Sequence, residues 1–345
     1  MKTNATSARP KKAVMPVAFT AALVLLGWLL WPDNRLTTLP PPDHMAVTVS
    51  SESISPIPDS MPDLDQAKIS LGNVLFHDTS LSHDNTIACA SCHRLELGGV
   101  DGKKFSIGVG GKLSGINAPT IYNSGFNFRQ FWNGRAESLE EQVAGPIHNP
   151  LEMGSNWAAV ISKLKQSSSY VTAFSRSYSN GITSENIADA IATFVRSLIT
   201  PNSRFDKYLK GDANAITEYE LSGYKQFTSY GCIACHQGRN IGGNMYEKLG
   251  VMRDYFAERG NITEADKGRY AITNNPDDMH KFKVPSLRNV ALTAPYFHDG
   301  TAQTLEQAVA VMGKFQLGIS LPNDDVSRIS AFLRTLTGEY NGHPL

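Results

Sequence analysis

Cys89-Ala90-Ser91-Cys92-His93 and Cys232-Ile233-Ala234-Cys235-His236 are the stretches that decide the fold of this chain of 345 residues. In a Cys-x-x-Cys-His motif the two thiols add to the vinyl groups of a haem, and the adjacent histidine binds the iron from one face. Zinc is the alternative for two cysteine pairs, but a zinc site leaves His93 and His236 unexplained. The two copies use all four cysteines of the chain, so chance is a poor account of them. The motifs predict two covalently bound haems, with His93 and His236 as proximal iron ligands.

An amphipathic segment precedes each motif, with apolar residues at three- and four-residue spacing over residues 64–78 and 216–231. This weak internal repeat predicts two haem domains of similar build. Helical spacing also marks residues 184–198, where Ser184 is the expected N-cap, and residues 304–312 and 325–336, whereas strand-like alternation is scarce. The predicted fold is mostly α, with two cytochrome c-like haem domains over residues 62–203 and 204–345 and long irregular loops. We expect the last stretch to pack back on the first domain.

The first 32 residues contain a candidate membrane segment. Residues 13–32 carry no charge, and a helix of this length can cross the hydrocarbon core of a bilayer. The basic residues before this stretch favour a cytoplasmic amino terminus. A cleaved signal peptide usually has a shorter apolar region that ends at small residues, whereas this one ends in Trp-Leu-Leu-Trp-Pro. We therefore expect an uncleaved transmembrane helix over residues 1–32 and a Pro/Ser-rich linker over residues 33–61. Either reading places the remaining chain outside the cytoplasm.

The composition is that of an ordinary folded protein, with 41% hydrophobic and 19% charged residues. The 32 basic and 32 acidic side chains give a net charge of zero. Proteins that bind nucleic acid usually carry a clear positive excess, so the balance argues against that class of partner. A local charged patch for docking a partner protein is compatible with it.

Several segments, in their order along the chain, resemble the bacterial dihaem cytochrome c peroxidases, a family that includes the MauG-like enzymes. The resemblance covers nearly all of residues 62–340 and is most specific over residues 117–153. It is carried by LGNVLFHD, CASCH, INAPTIYNSGFNFRQFWNGRAESLEEQVAGPIHNPLEMG, GCIACH, FKVPSLRNVALTAPYFHDG and TLEQAVAVMG. It implies that the His93 haem reacts with hydrogen peroxide, while the His236 haem relays electrons from a small donor such as a monohaem cytochrome c. Dimers are common in this family, so a homodimer is a candidate state.

The same resemblance indicates which residues lie on the distal side of each iron. Met312 matches the distal ligand of the second haem, and a His/Met pair raises the reduction potential; taken alone, Met312 reads as a core residue. A tyrosine serves at this position in MauG, so Met312 favours a peroxidase. Many members hold a displaceable distal histidine for the first haem where this chain has Val109, and no histidine lies between His93 and His148. This departure predicts a five-coordinate first iron; His83 is the other candidate and reads more simply as a loop histidine without iron contact.

Cleavage of peroxide needs a group that moves a proton from the inner to the outer oxygen. The resemblance assigns this work to Gln142 and Glu152, with His148 lining the same pocket, and places Trp132 between the haems. It also implies an interdomain calcium ion bound by one side chain and two backbone carbonyls, those of Asn117, Thr293 and Pro295. Three further residues are expected to contact haem propionates or to support the ligands, namely Arg135, Arg288 and His298.

Three functions are compatible with these residues. The first is a cytochrome c peroxidase that reduces hydrogen peroxide to water. The second is a MauG-like oxidase acting on a protein or organic substrate, against which Met312 counts. The third is a plain dihaem electron carrier, which requires both irons to have two protein ligands.

Overall fold

The computed structural model describes residues 53–345. This part is mostly helical, as predicted, with long irregular connections. Its helices are α1 (Gln66–Phe76), α2 (Cys89–Cys92), α3 (Leu139–His148), α4 (Trp157–Lys165), α5 (Ser168–Ser177), α6 (Ser184–Ser197), α7 (Arg204–Leu209), α8 (Glu218–Ser229), α9 (Tyr255–Arg259), α10 (Tyr270–Thr273), α11 (Leu305–Val311) and α12 (Asn323–Arg334). Its strands form two short antiparallel pairs, β1 (Tyr246–Lys248) with β2 (Lys281–Lys283) and β3 (Glu339–Tyr340) with β4 (His343–Pro344).

The predicted membrane segment, residues 13–32, lies outside the described residues. Among residues 53–345, none of the helices combines the length and the apolar character that crossing a bilayer requires.

The helices that lead into the two motifs begin at side-chain caps. The Asp65 carboxylate accepts from the backbone N–H of Ala67 at 2.8 Å, which starts α1. The start of α8 has a capping box, in which the Thr217 hydroxyl and the Glu220 carboxylate each accept a backbone N–H of the other residue. The cap of α6 is Thr183 rather than the expected Ser184, since the Thr183 hydroxyl is the group that accepts the Asn186 N–H.

Two helix pairs cross in the same way, each at a glycine. A Cβ atom on Gly72 of α1 would lie 1.9 Å from the carbonyl oxygen of Ala190 in α6. A Cβ atom on Gly223 of α8 would lie 1.9 Å from the carbonyl oxygen of Arg328 in α12. Only a residue without a side chain allows backbones to approach this closely. The internal repeat of the sequence thus corresponds to two similar helix crossings.

The buried apolar side chains form two large clusters. One is built from residues between Leu71 and Leu198, and the other from Ile54 and residues between Phe205 and Leu336. A smaller aromatic cluster contains Phe256, Phe282 and Phe315. The division between the large clusters is compatible with the predicted domain boundary at residues 203 and 204, which stays a prediction.

The two ends of the described chain cross over between these clusters. Near the start, a segment that we call the N-terminal strap (residues 53–57) packs on the second cluster through Ile54. The Ser53 carbonyl accepts from the Gly238 N–H at 2.6 Å, and the Ser55 carbonyl accepts from the Arg288 guanidinium at 3.0 Å. At the other end, Tyr340 and Leu345 pack against the first cluster, as predicted for the last stretch.

The N-terminal strap lies within residues 33–61, the segment expected to be a linker, and it contains two buried apolar side chains. Ile54 is 3% exposed and Ile57 is fully buried. The physical reason is that these two isoleucines supply apolar surface that the polar composition of residues 33–61 conceals.

Candidate haem site

Both Cys-x-x-Cys-His motifs line one connected cavity of about 590 Å³. The four cysteines form no disulfide, and all of them border this cavity. Most of its wall is apolar and comes from both large clusters, with examples in Phe76, Val143, Ile191, Phe227, Val309 and Leu333. An apolar wall with thiols at its edge suits a porphyrin that is bound through its vinyl groups.

The two motif histidines are held in the form that binds iron. Nδ1 of His93 lies 3.2 Å from the carbonyl oxygen of Gly99, and Nδ1 of His236 lies 3.2 Å from that of Ile241. In each ring Nδ1–H donates to the carbonyl, which leaves the lone pair of Nε2 available to a metal. Burial lowers the pKa of His93, and it lowers the pKa of His236 to about 4, so both rings are neutral at pH 7. The residues therefore fit two haem irons.

Met312 lines the same cavity at the end of α11. There the helix widens into a π-type turn over Met312–Gln316, in which the Leu317 N–H donates to the Met312 carbonyl at 3.3 Å. Such wide turns occur mostly as single turns and are frequent at functional sites. The turn places a thioether, a weak iron ligand, in a cavity that His236 also borders.

Glu152 and Gln142 both border the cavity, and the helix that carries Gln142 packs on the first cluster through Leu139 and Val143. Burial raises the pKa of the Cys92 thiol, and the negative charges of Asp101 and Glu152 raise it further, so Glu152 lies near the first motif. Burial also raises the pKa of Glu152 itself, against the opposing effect of a 2.7 Å hydrogen bond from the Asn149 side chain. A carboxyl whose pKa is raised in this way keeps its proton to a higher pH than a freely exposed glutamate does.

The positions considered for a distal histidine lie away from the cavity. The Val109 N–H donates to the Glu152 carbonyl at 2.8 Å, and the Val109 side chain is buried outside the cavity wall. His83 is exposed and does not line the cavity. Among the described residues, His298 is the one histidine of the wall besides the two motif histidines, and its Nε2 bonds Asp266 at 2.7 Å.

The expectation that His148 lines the pocket is wrong. Its ring is exposed and packs edge-on against Trp157, with 5.7 Å between the ring centres. Six residues along α3 rotate His148 by about 240° from Gln142, so the two side chains leave the helix on different faces.

Trp132 borders the cavity, and its Nε1–H donates to the Asn117 carbonyl at 2.9 Å. Asn117, Thr293 and Pro295 line the cavity as well. The Asn117 side-chain N–H donates to the Lys103 carbonyl at 2.9 Å, which turns the side-chain oxygen away from that bond. Within residues 53–345, the Thr293 and Pro295 carbonyls accept no backbone N–H, so both remain available as oxygen ligands.

The three residues expected near the propionates separate into two groups. Arg135 and His298 line the cavity, and the Arg135 guanidinium lies 3.3 Å from the centre of the Phe131 ring. Arg288 does not line the cavity. It is fully buried in an ion pair of 2.7 Å with Asp206, and it supports the N-terminal strap.

Sequence reasoning missed Lys283, a buried lysine in the cavity wall, and the buried network around His298. In that network Arg259 contacts both Asp266 and Asp299 at 2.6 Å. The signal for Lys283 was present in the sequence, because a lysine interrupts the otherwise apolar run Phe282-Lys283-Val284-Pro285. The network joins residues far apart in the chain and leaves no local pattern.

Comparisons with known proteins agree with this site. A family model described as di-haem cytochrome c peroxidase matches residues 66–214. Cytochrome c peroxidase Ccp of Escherichia coli strain K12 is 50% identical over 291 residues, which cover 84% of this chain and 62% of that protein. Cytochrome c551 peroxidase of Nitrosomonas europaea is 45% identical over 295 residues, which cover 85% of this chain and 86% of that protein.

A solved structure shares the fold over most of its length. It is that of a MauG-like protein associated with microbial copper homeostasis, with a TM-score of 0.71 and 31% identity over 83% of this chain and 93% of the other. The chain spans less than two thirds of the E. coli relative but most of the N. europaea relative. The chain belongs to the dihaem cytochrome c peroxidase family, and membership of this family implies two c-type haems.

Proposed function

We propose that this protein reduces hydrogen peroxide to water with two electrons from a small cytochrome c. The observation that carries the proposal is the pairing of Glu152 and Gln142 with the first motif in a cavity where no described histidine is free to occupy the far side of the iron. Relatives of 50% and 45% identity that are named cytochrome c peroxidases support it.

The haems, when bound, supply iron that exchanges electrons and, at the first site, a face that binds peroxide. Glu152 takes the proton of the inner peroxide oxygen and returns it to the outer oxygen, which leaves as water. The Gln142 amide orients the peroxide by hydrogen bonding. Two electrons and two protons complete the conversion of one peroxide to two waters.

The residues at the second motif would suit that site to electron transfer rather than to binding peroxide. His236 and Met312 would both hold the second iron, and an iron with two protein ligands mainly carries electrons. Trp132, fixed by its bond to Asn117, would shorten the gap that electrons cross between the haems.

We also propose a calcium ion at Asn117, Thr293 and Pro295. Support comes from three oxygen atoms in the wall of one cavity that accept no hydrogen bond from residues 53–345, since calcium prefers oxygen ligands. Water would complete the coordination shell, because three protein ligands are fewer than calcium normally takes.

The charge-free stretch over residues 13–32 supports our proposal that the protein is anchored in the bacterial inner membrane and faces the periplasm. Membrane fractionation of cells that produce the full chain tests this. Release of the protein by osmotic shock alone would contradict a retained anchor.

The activity is tested by mixing the purified dihaem protein with reduced monohaem cytochrome c and hydrogen peroxide. We expect the cytochrome to be oxidised in the ratio of two per peroxide consumed. No oxidation of the cytochrome, together with peroxide-dependent oxidation of a protein or organic substrate, would favour the MauG-like function that the likeness to a MauG-like structure suggests. A ferric protein that is entirely low-spin and binds neither cyanide nor peroxide would favour an electron carrier.

A further inference from the structure

Lys283 is a buried cation in the wall of the haem cavity. It lies at the end of β2, opposite Tyr246 of β1, and its residue is 8% exposed. Its backbone N–H donates to the Trp132 carbonyl at 2.7 Å, so the strand is fixed beside the residue that we place between the haems.

The ammonium group of Lys283 makes no hydrogen bond and no ion pair with any residue in the described part of the chain. Burial alone lowers its pKa to about 8, and no acidic side chain opposes this effect. The other buried lysine or arginine side chain among residues 53–345, that of Arg288, is paired with Asp206. An unpaired buried charge is costly, so Lys283 fits a site whose anion is supplied by a ligand.

The location of Lys283 indicates which ligand that is. The cavity is the one bordered by both motifs, and a haem brings carboxylates into it as its propionates. Two residues further along the chain, the Pro285 carbonyl lies close enough to the His236 ring to act on its pKa. The chain that carries Lys283 thus runs to the His236 ring, so we take the haem of that motif as the source of the anion.

We propose that Lys283 is the counter-ion of a propionate of the haem bound at His236 and that it raises the reduction potential of this haem. A positive charge near the iron favours the reduced state, which carries one positive charge less than the oxidised state. The inference rests on the proposed role of the second haem in receiving electrons, and it adds a residue that sets how readily that haem accepts them.

The test is a spectroelectrochemical titration of both haems in Lys283→Met, Lys283→Arg and the control Lys281→Met. Lys281 lies on the same strand, outside the cavity, and pairs with Asp278 at 3.3 Å, so its substitution removes an equal charge from a neighbouring position. We expect Lys283→Met to lower the potential of the His236 haem, and Lys283→Arg and Lys281→Met to leave it near the wild-type value. Two unchanged potentials in Lys283→Met, a shift confined to the His93 haem, or an equal shift in Lys281→Met would overturn the proposal.

If Lys283→Met does not assemble, Lys283→Gln replaces it in the same titration. Loss of the second haem from both neutral variants but not from Lys283→Arg would support the proposal, whereas loss from all three would overturn it. The potentials are measured without peroxide. Failure of the proposed peroxidase activity would therefore leave this result readable by itself.

Discussion

The indole N–H of Trp132 donates a hydrogen bond of 2.9 Å to the backbone carbonyl of Asn117. The Asn117 N–H in turn donates to the His298 carbonyl at 2.8 Å. The residue that we propose as a calcium ligand thus also sets the orientation of the ring that we propose as the bridge between the haems. A disturbance at the ion site is therefore transmitted to the bridge through one hydrogen bond.

Removal of calcium is expected to slow electron transfer between the haems, because Asn117 would lose the ligand that fixes it. Stopped-flow spectroscopy measures the rate at which the reduced second haem is oxidised after peroxide is added. The rate should fall after treatment with a chelator and recover when calcium, but not magnesium, is returned. An unchanged rate in protein shown to be free of calcium would contradict both the site and its link to Trp132.

Replacement of His93 by glycine is expected to abolish peroxide turnover, since the first iron loses its proximal ligand while both thiols of the motif remain. The absorption spectrum of the second haem should be largely unchanged. Turnover with reduced cytochrome c is the measurement, and His236→Gly, which should alter the other spectrum, is the matched variant. A fully active His93→Gly protein would refute the assignment.

Glu152→Gln is expected to lower kcat/KM for peroxide by about 10²–10⁴-fold, the usual contribution of a positioned acid or base. Burial raises the pKa of Glu152, and the ionised form is the one that accepts a proton. The wild-type rate should therefore fall as the pH drops through this raised pKa, and the variant should lack this fall. The control is Glu137→Gln, which removes an exposed carboxylate that forms an ion pair with Arg129.

Stability separates this effect from a folding defect. Because the folded protein holds the proton of Glu152 more tightly than the unfolded chain does, ionisation costs stability as the pH rises through the raised pKa. Glutamine carries no such cost, so the variant should be no less stable at neutral pH. A variant that is both inactive and less stable at pH 7 would point to a structural role instead.

Met312→His is expected to lower the reduction potential of the second haem, because bis-histidine ligation favours the oxidised iron more than histidine–methionine ligation does. Reduction by the cytochrome donor should slow accordingly. Potentiometric titration is the measurement. A potential equal to that of the wild type would mean that Met312 is not a ligand.

Gly72→Ala is expected to destabilise the protein by at least about 1–3 kcal/mol, the usual cost of overpacking. Its Cβ would meet the Ala190 carbonyl oxygen at 1.9 Å, and backbone cannot move aside as a flexible side chain can. Gly125→Ala is the control, since its nearest neighbour is the Arg196 Cα at 3.4 Å, an ordinary contact. Equal denaturant midpoints for the two variants would show that α1 and α6 can separate at little cost.

The sequence predicted those features that depend on residues close together in the chain, namely the helices and the haem attachment motifs. The spacing of Leu71 and Leu75 on α1 and the motif that follows could be read from the sequence, because helical periodicity and covalent haem attachment each depend on neighbouring residues. The exact start of α6 does not follow from the pattern, as the shift from Ser184 to Thr183 shows. Either hydroxyl can cap a helix, and the surrounding packing decides between them.

Distant pairings could not be predicted in this way. Arg288 reads as a candidate for the propionates, yet its partner is Asp206, far away in the sequence and buried with it. The burial of Ile54 depends on a surface formed by residues after Phe205. Lys283 differs from both, because its proposed partner is a haem propionate and not a residue of the chain. Burial lowers its pKa, and no acidic side chain opposes this effect.

The crossed ends of the described chain have a consequence for how the molecule comes apart. A cut in the connection near residues 210–215 would leave the N-terminal strap seated on the second cluster and Tyr340 seated on the first. Each half would thus still contribute one terminal segment to the core of the other half. When the chain is pulled, the N-terminal strap and the C-terminal stretch would resist separation of the two clusters together with the exposed connection.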